Sequence, residues 1–433
     1  MASYTPHTRS DREKMMEFLG IDSLDELFQA VPPSYRYPEL SMDKGRCEQA
    51  VLKELRSMAD KNSSAAHTSW FLGGGVYNHY IPSVVDSIIS RGEFFTAYTP
   101  YQPEVSQGSL QAIFEFQTMI AELYGMDVVN ASHYDGATAM AEAALMALRC
   151  RSGRKKIILD EGIHPEYREV LETYLSGSEG YIARGECDDE TACFITAFPS
   201  FRGELKDLKA LGEKVHARGA LFIVNADPLA CGLFTPPGEC GADIVTGEGQ
   251  PLGIAMNSGG PLLGLFATSK KLIRKMPGRV IGQTSDGSGR PGCVLTFSAR
   301  EQHIRREKAT SNICSNQGLM ALAAAVYMAA LGKQGIRDTA RLCYDKALYA
   351  ARQINSLKGY SVDLTKAFFR EFVVTCPMDA DILSANLREK DIVAGLPLGC
   401  FEGGNERELL VCVTEMNEKE EIDRLVNAMK EAL

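Results

Sequence analysis

Five stretches of this chain place reactive or hydrogen-bonding side chains on glycine-rich or proline-fixed backbone. Asn225-Ala226-Asp227-Pro228 directly follows the apolar run Leu221–Val224. In an α/β sheet that is the carboxyl end of a strand, where ligands bind. An Asp there can hold a protonated ring nitrogen of a cofactor, or simply make an Asp-Pro turn. Asp243 to Gln250, followed by Met256 to Pro261, is glycine-rich and lets backbone approach a neighbour closely. Phe71 to Tyr80 sets Tyr77, His79 and Tyr80 beside Gly73-Gly74-Gly75. Tyr98 to Gly108 carries Tyr98, Tyr101, Gln102, Glu104 and Ser106 on a path stiffened by Pro100 and Pro103. Rigidly held polar groups of that kind suit a small-molecule site. Asn130 to Ala139 precedes a helix, whose free N–H groups can take an anion unless Asp135 merely caps it.

Lysine placement limits the chemistry. A Schiff-base enzyme needs a lysine on the loop after a late strand. The segment just after Asp243–Thr246 contains none. Lys270-Lys271 follows later, in a run that reads as the start of a basic surface helix. No G-K-[ST] phosphate loop and no strand followed by G-x-G-x-x-G is present, so Walker-type and nicotinamide sites lack support. The twelve cysteines form no C-x-x-C pair, and the seven histidines form no H-E-x-x-H. Reduced buried thiols and no metal are the expectation.

The elements that must position these residues follow from periodicity. After a helical arm over residues 1–62, near-continuous apolar strands alternate with helices: Lys156–Leu159, Cys193–Thr196, Ala220–Val224, Ile244-Val245 and Leu263–Phe266. That pattern predicts a mostly parallel sheet covered on both faces. The large α/β domain is expected over residues 63–330, and a smaller C-terminal α+β domain over 331–433. A chain of 433 residues with 45% hydrophobic and 24% charged residues is globular rather than disordered. With 46 basic against 56 acidic residues, its charge of −10 makes general nucleic-acid binding a poor expectation. No basic-then-apolar leader is visible, and the apolar run Gly318 to Leu331 is too short to span a bilayer. A cytoplasmic location and no membrane partner are therefore expected.

The longest motifs then acquire a family. Tyr98–Gly108, Phe71–Tyr80, Gly247-Glu248-Gly249-Gln250-Pro251-Leu252-Gly253, Ser258-Gly259-Gly260-Pro261 and Glu307–Cys314 closely resemble signatures of the glycine cleavage system P-protein family. The likeness runs over essentially the whole chain, on the side of subunit 1 of the split form. The resemblance implies a fold-type-I, aspartate-aminotransferase-like architecture and an α2β2 assembly with a homologous subunit 2. In subunit 2 the lysine that holds pyridoxal phosphate lies a fixed distance before a Gly-Gly-Pro turn. Counting back from Gly259-Gly260-Pro261, that position here is Gln250, which cannot form a Schiff base.

The implied role is therefore half of a catalyst. Glycine is decarboxylated on the partner's pyridoxal phosphate, and its aminomethyl group passes to the lipoyl group of the H-protein. Tyr98, Tyr101, Gln102, Glu104, Ser106 and His79 are the candidate catalytic groups. Tyr77, Thr310, Ser311 and Asn312 are candidates for contacting the cofactor across the interface. The stretch Arg274, Lys275, Arg279 and Arg290, continued by Arg305, Arg306 and Lys308, reads as a solvated face or as a docking surface for an acidic partner. Two other readings stay open: a self-sufficient pyridoxal phosphate aminotransferase or C–S lyase using Lys270, and a non-catalytic scaffold.

Overall fold

The computed structural model describes residues 6–257 and 259–432. Ser258 of the Ser-Gly-Gly-Pro motif, the first five residues and Leu433 lie outside the described residues. The chain divides into two compact units, Met1–Ser63 and Ser64–Leu433. In the first, the helix Arg9–Leu19 is capped by Thr8. The Asp11 N–H donates to Thr8 Oγ1 at 3.2 Å, and the Thr8 N–H donates to Asp11 at 2.8 Å. Gly20, at φ 68°, ends it. A second helix, Glu48–Ala59, starts later than its sequence pattern suggests. None of the described residues of this unit is buried.

The second unit is built on a seven-stranded sheet. From one edge its strands run Val128–Val129, Gly264–Thr268, Ile244–Glu248, Leu221–Ala226, Thr191–Phe198, Lys156–Leu159 and Tyr181–Ala183. The five from Ile244–Glu248 to Tyr181–Ala183 are parallel. Gly264–Thr268 pairs antiparallel, with Gly264 opposite Glu248 and Thr268 opposite Ile244. Apolar runs such as Leu221-Phe222-Ile223-Val224, each fully buried, fit this because helices cover both faces. One face receives the Ala- and Met-rich helix Gly136–Cys150, whose Met140, Ala143 and Ala147 are fully buried. The other face packs on Phe116, Ile120 and the alanines of the helix Gly318–Asn355. The edge strand Tyr181–Ala183 is only three residues long and none of it is buried, which is why its sequence does not announce it.

The helix Gly318–Asn355 is long and apolar enough to cross a membrane, yet Ala321, Ala324 and Tyr327 are buried in the sheet's core. It breaks at Gly332 (φ 63°), so the expected boundary at 330/331 falls within one helical element. Its second half packs beside a three-stranded antiparallel sheet, Glu371–Thr375, Glu408–Cys412 and Leu396–Pro397. The helices Ala380–Arg388 and Lys419–Glu431 complete that second core. All twelve cysteines are free.

Candidate functional site

The carboxyl ends of Leu221–Ala226 and Ile244–Glu248 meet the amino end of the helix Gly136–Cys150 and the loop Gly73 to His79. Three of the chemistry-bearing stretches converge there around a cavity of about 80 Å³. Glu248 lies at the helix N-terminus. Its carboxylate accepts the Gly136 N–H at 3.0 Å, the Gln250 N–H at 2.9 Å and the Leu263 N–H at 2.9 Å. That is the place and chemistry of a bound phosphate, supplied internally. Asp135 caps the same helix by accepting the Thr138 N–H at 2.7 Å, as its spacing allows.

Asp227 is equally committed. Its Oδ1 accepts the Leu229 N–H at 2.8 Å, and its Oδ2 is ion-paired with Arg370. Arg370 is fully buried and lies flat over Tyr77, its guanidinium carbon 3.5 Å from the ring centroid. It also donates to His79 Nε2 at 2.8 Å. A guanidinium can only donate, so His79 carries its proton on Nδ1 and passes it toward Glu415 at 2.7 Å. His79, Cys343 and Glu415 have ligand atoms within 4.8 Å of one another. With Arg370 donating to one ring nitrogen and Glu415 accepting from the other, both nitrogens of His79 are engaged, and the cluster is a hydrogen-bonded chain rather than a metal centre. Tyr77 donates to Glu371 at 2.8 Å, and Glu371 also accepts the Gly74 N–H at 2.7 Å. A side chain on Gly73 would come within 2.3 Å of Glu371, which explains the glycine. Gln250, 1% exposed, clamps Tyr77 by accepting its N–H at 2.9 Å and donating to its carbonyl at 3.0 Å.

These residues do not fit pyridoxal phosphate. Gln250 offers no amine, Glu248 would repel a phosphate, and Arg370 holds the Asp227 that a ring nitrogen would need. Cofactor pockets usually offer roughly 300 Å³ or more. Burial pushes Glu248 up to about 7, against the three N–H groups that favour its charge.

The other candidate residues fall elsewhere. Tyr98, Gln102 and Glu104 are exposed, Tyr101 is 45% exposed, and Ser106 is half-buried. Thr310, Ser311 and Asn312 line a separate cavity against the helix Gly136–Cys150. Arg279 joins these two motifs. Its Nη2 donates to Tyr101 Oη at 3.2 Å and to the Cys314 carbonyl at 2.7 Å, and its Nη1 donates to Asn316 Oδ1 at 3.2 Å. Arg279 is 5% exposed, so it is not part of the basic face that the sequence grouped it with. Arg274, Lys275, Arg290, Arg305, Arg306 and Lys308 do lie on the surface. Lys270 is also exposed. It follows the far end of the antiparallel strand, at the sheet edge opposite Asp227 and Glu248, so no Schiff base from it can reach this pocket.

Sequence reading passed over Arg370, Glu371, Glu415, Glu142 and Arg149. A signal existed for the first two: a charged pair inside Phe368-Phe369-Arg370-Glu371-Phe372-Val373-Val374 must find buried partners. Glu415 and Arg149 sit in unremarkable polar contexts and gave none.

Comparison with known proteins identifies the family. The family model described as "Glycine cleavage system P-protein" matches residues 2–429. Proteins named "Probable glycine dehydrogenase (decarboxylating) subunit 1" from Thermomicrobium roseum and Bacillus cereus are each 50% identical. They align over 99% and 98% of this chain, and over the same shares of their own lengths. A crystal structure of glycine decarboxylase (P-protein) of the glycine cleavage system, in inhibitor-bound form, superposes with a TM-score of 0.93 at 42% identity, covering 100% of both chains. A Lactobacillus brevis glutamate decarboxylase shares the fold alone, with a TM-score of 0.65 at 14% identity over 94% of this chain and 97% of that one. The chain thus belongs to the glycine cleavage system P-protein family.

Proposed function

We propose that this chain is subunit 1 of a glycine dehydrogenase (decarboxylating), a component of a glycine cleavage system that works with a second subunit. Full-length likeness to proteins of that name supports the role. The observation that supports the division of labour is the set of internal commitments around a small cavity: Glu248 accepts the helix N–H groups, Asp227 pairs with Arg370, and Gln250, in place of a lysine, clamps Tyr77. The pyridoxal phosphate of the system is then held by the second subunit, in an α2β2 assembly in the cytoplasm. This chain contributes Tyr98, Tyr101, Gln102, Glu104 and Ser106 from its proline-stiffened segment, and Thr310 to Asn312 from the segment that Arg279 ties to it. Tyr101 is placed for a directional role. Its oxygen accepts from Arg279, so its own hydrogen is free to donate outward to substrate. The exposed arginines and lysines between Arg274 and Lys308 provide a surface for the lipoylated H-protein.

Borohydride reduction of the purified chain, alone and after mixing with the second subunit, tests the cofactor assignment. A stably labelled lysine in this chain would overturn it. Glycine–bicarbonate exchange tests the residues. Tyr101→Phe should assemble normally and lose exchange activity, and wild-type exchange would remove Tyr101 from the site. Replacing Tyr98, Tyr101 and Glu104 together separates this role from a pure scaffold, which would tolerate the change.

A further inference from the structure

The second cavity lies between the helix Gly136–Cys150, the helix Pro165–Leu175 and residues 309–313, and holds about 470 Å³. Several of its buried polar atoms lack partners. Arg149 makes no ion pair or hydrogen bond among the described residues. Its Nε and Nη2, the two nitrogens on one edge of the guanidinium, are buried and unsatisfied. Both ring nitrogens of His133, which is 1% exposed, are unsatisfied as well. Glu142, 5% exposed, accepts the Ser311 hydroxyl at 2.6 Å through Oε1, while its Oε2 is unpaired. The Thr310 hydroxyl and Asn312 amide form no hydrogen bond among the described residues. More than nine in ten buried polar groups are normally satisfied. Water can satisfy a hydroxyl or an amide; it does not offset the charge of a desolvated guanidinium.

The charges select the ligand. The Nε/Nη2 edge of an arginine matches a planar oxyanion with two parallel hydrogen bonds. Burial holds His133 neutral, lowering its pKa to about 3, so it brings no second positive charge to the cavity. Glu142 lies two turns from Arg149 on the same helix face, and each feels the other's charge. One cation facing one carboxyl group accommodates a single negative charge better than a phosphate dianion. We propose that this cavity binds a small monocarboxylate, with the Nε/Nη2 edge of Arg149 as its anchor and Thr310 and Asn312 at its mouth. The amino group of a glycine-sized ligand would find an acceptor in Glu142. The anchor, Arg149, has no part in the role proposed for Thr310–Asn312 toward the second subunit, so carboxylate binding and its loss in an Arg149 variant are read separately from glycine–bicarbonate exchange.

The test titrates the isolated full-length chain with acetate, glycine and inorganic phosphate, following chemical shifts of nearby amides. Saturable binding of both carboxylates is expected, weakened about tenfold or more in Arg149→Gln. Saturation by phosphate alone, no saturable carboxylate binding, or unchanged binding in Arg149→Gln would each overturn the assignment. Should Arg149→Gln fail to fold, Arg149→Lys keeps the charge and loses the planar edge. Carboxylate binding is then expected to weaken, and undiminished binding would overturn the bidentate anchor.

Discussion

Two regions along the helix Gly136–Cys150 teach opposite lessons about buried charge. At its amino end, the pocket around Asp227 and Glu248 is closed by the protein's own groups. A carboxylate stands where a phosphate would, a guanidinium stacks on Tyr77, and an amide fills the lysine position. Nearly every polar atom there has a partner; Arg370 Nε is an exception. Along its length, from His133 just before its first turn through Glu142 to Arg149 in its last turn, the helix borders a larger cavity with unpaired polar atoms. Both regions bury an arginine. One is a structural member of a saturated network, and the other is a group whose partner is external. The cavity at the amino end is narrowed to about 80 Å³ by paired side chains, while the one beside Arg149 keeps about 470 Å³.

The largest expected effect would break the first half of this contrast. Arg370→Leu leaves Asp227 buried without its cation and should cost about 3–5 kcal/mol in urea unfolding. A loss below about 1 kcal/mol would mean that the pair does not hold the pocket. Gln250→Lys should cost about 2–4 kcal/mol, because it buries an unpaired amine and releases the Tyr77 backbone. It should still take up no borohydride-fixed cofactor. Covalent capture by that single variant would show the pocket to be sealed by one residue rather than by four.

A pH series sharpens the same comparison. Burial raises Glu248 from 4.5 to about 7, so the native state keeps a proton that the unfolded chain releases between those values. Stability contributed by Glu248 is greatest below about pH 4.5 and falls as pH rises toward 7. Relative to Glu248→Gln, the wild type should lose about 1–3 kcal/mol across that window. Parallel stability curves would contradict the buried carboxyl. The smallest effect belongs to the open cavity. Arg149→Met removes a desolvated, unpaired cation, so the ligand-free chain should change by no more than about 1 kcal/mol, in the stabilising direction. A loss as large as that of Arg370→Leu would erase the distinction between the two arginines.

Much of the fold was legible because strands buried on both faces must be continuously apolar, as Leu221–Val224 and Ile244-Val245 are. The antiparallel turn of Gly264–Thr268 and the edge strand Tyr181–Ala183 were not legible, since direction and pairing are set by neighbours rather than by composition. Among the candidate residues, Tyr77 lines the pocket, with His79 and Gln250 packed against it. His79 is held there between Arg370 and Glu415, residues distant in sequence, and Tyr98, Tyr101 and Glu104 lie outside it. Arg279 was misplaced for a plain reason. A charged residue in a basic run reads as solvated, and only the fold supplies Cys314, Asn316 and Tyr101 to bury it.

By itself, the sequence determined the family, the alternation that builds the sheet, and the absence of a lysine before the Gly-Gly-Pro turn. Those are statements about residue type and order, which the chain carries explicitly. The tertiary structure decided that Glu248, Arg370 and Gln250 close the pocket, and that Arg149 is left facing a cavity. Arg370 and Arg149 are alike as letters, and what separates them is whether an oxygen from a distant strand comes within hydrogen-bonding reach.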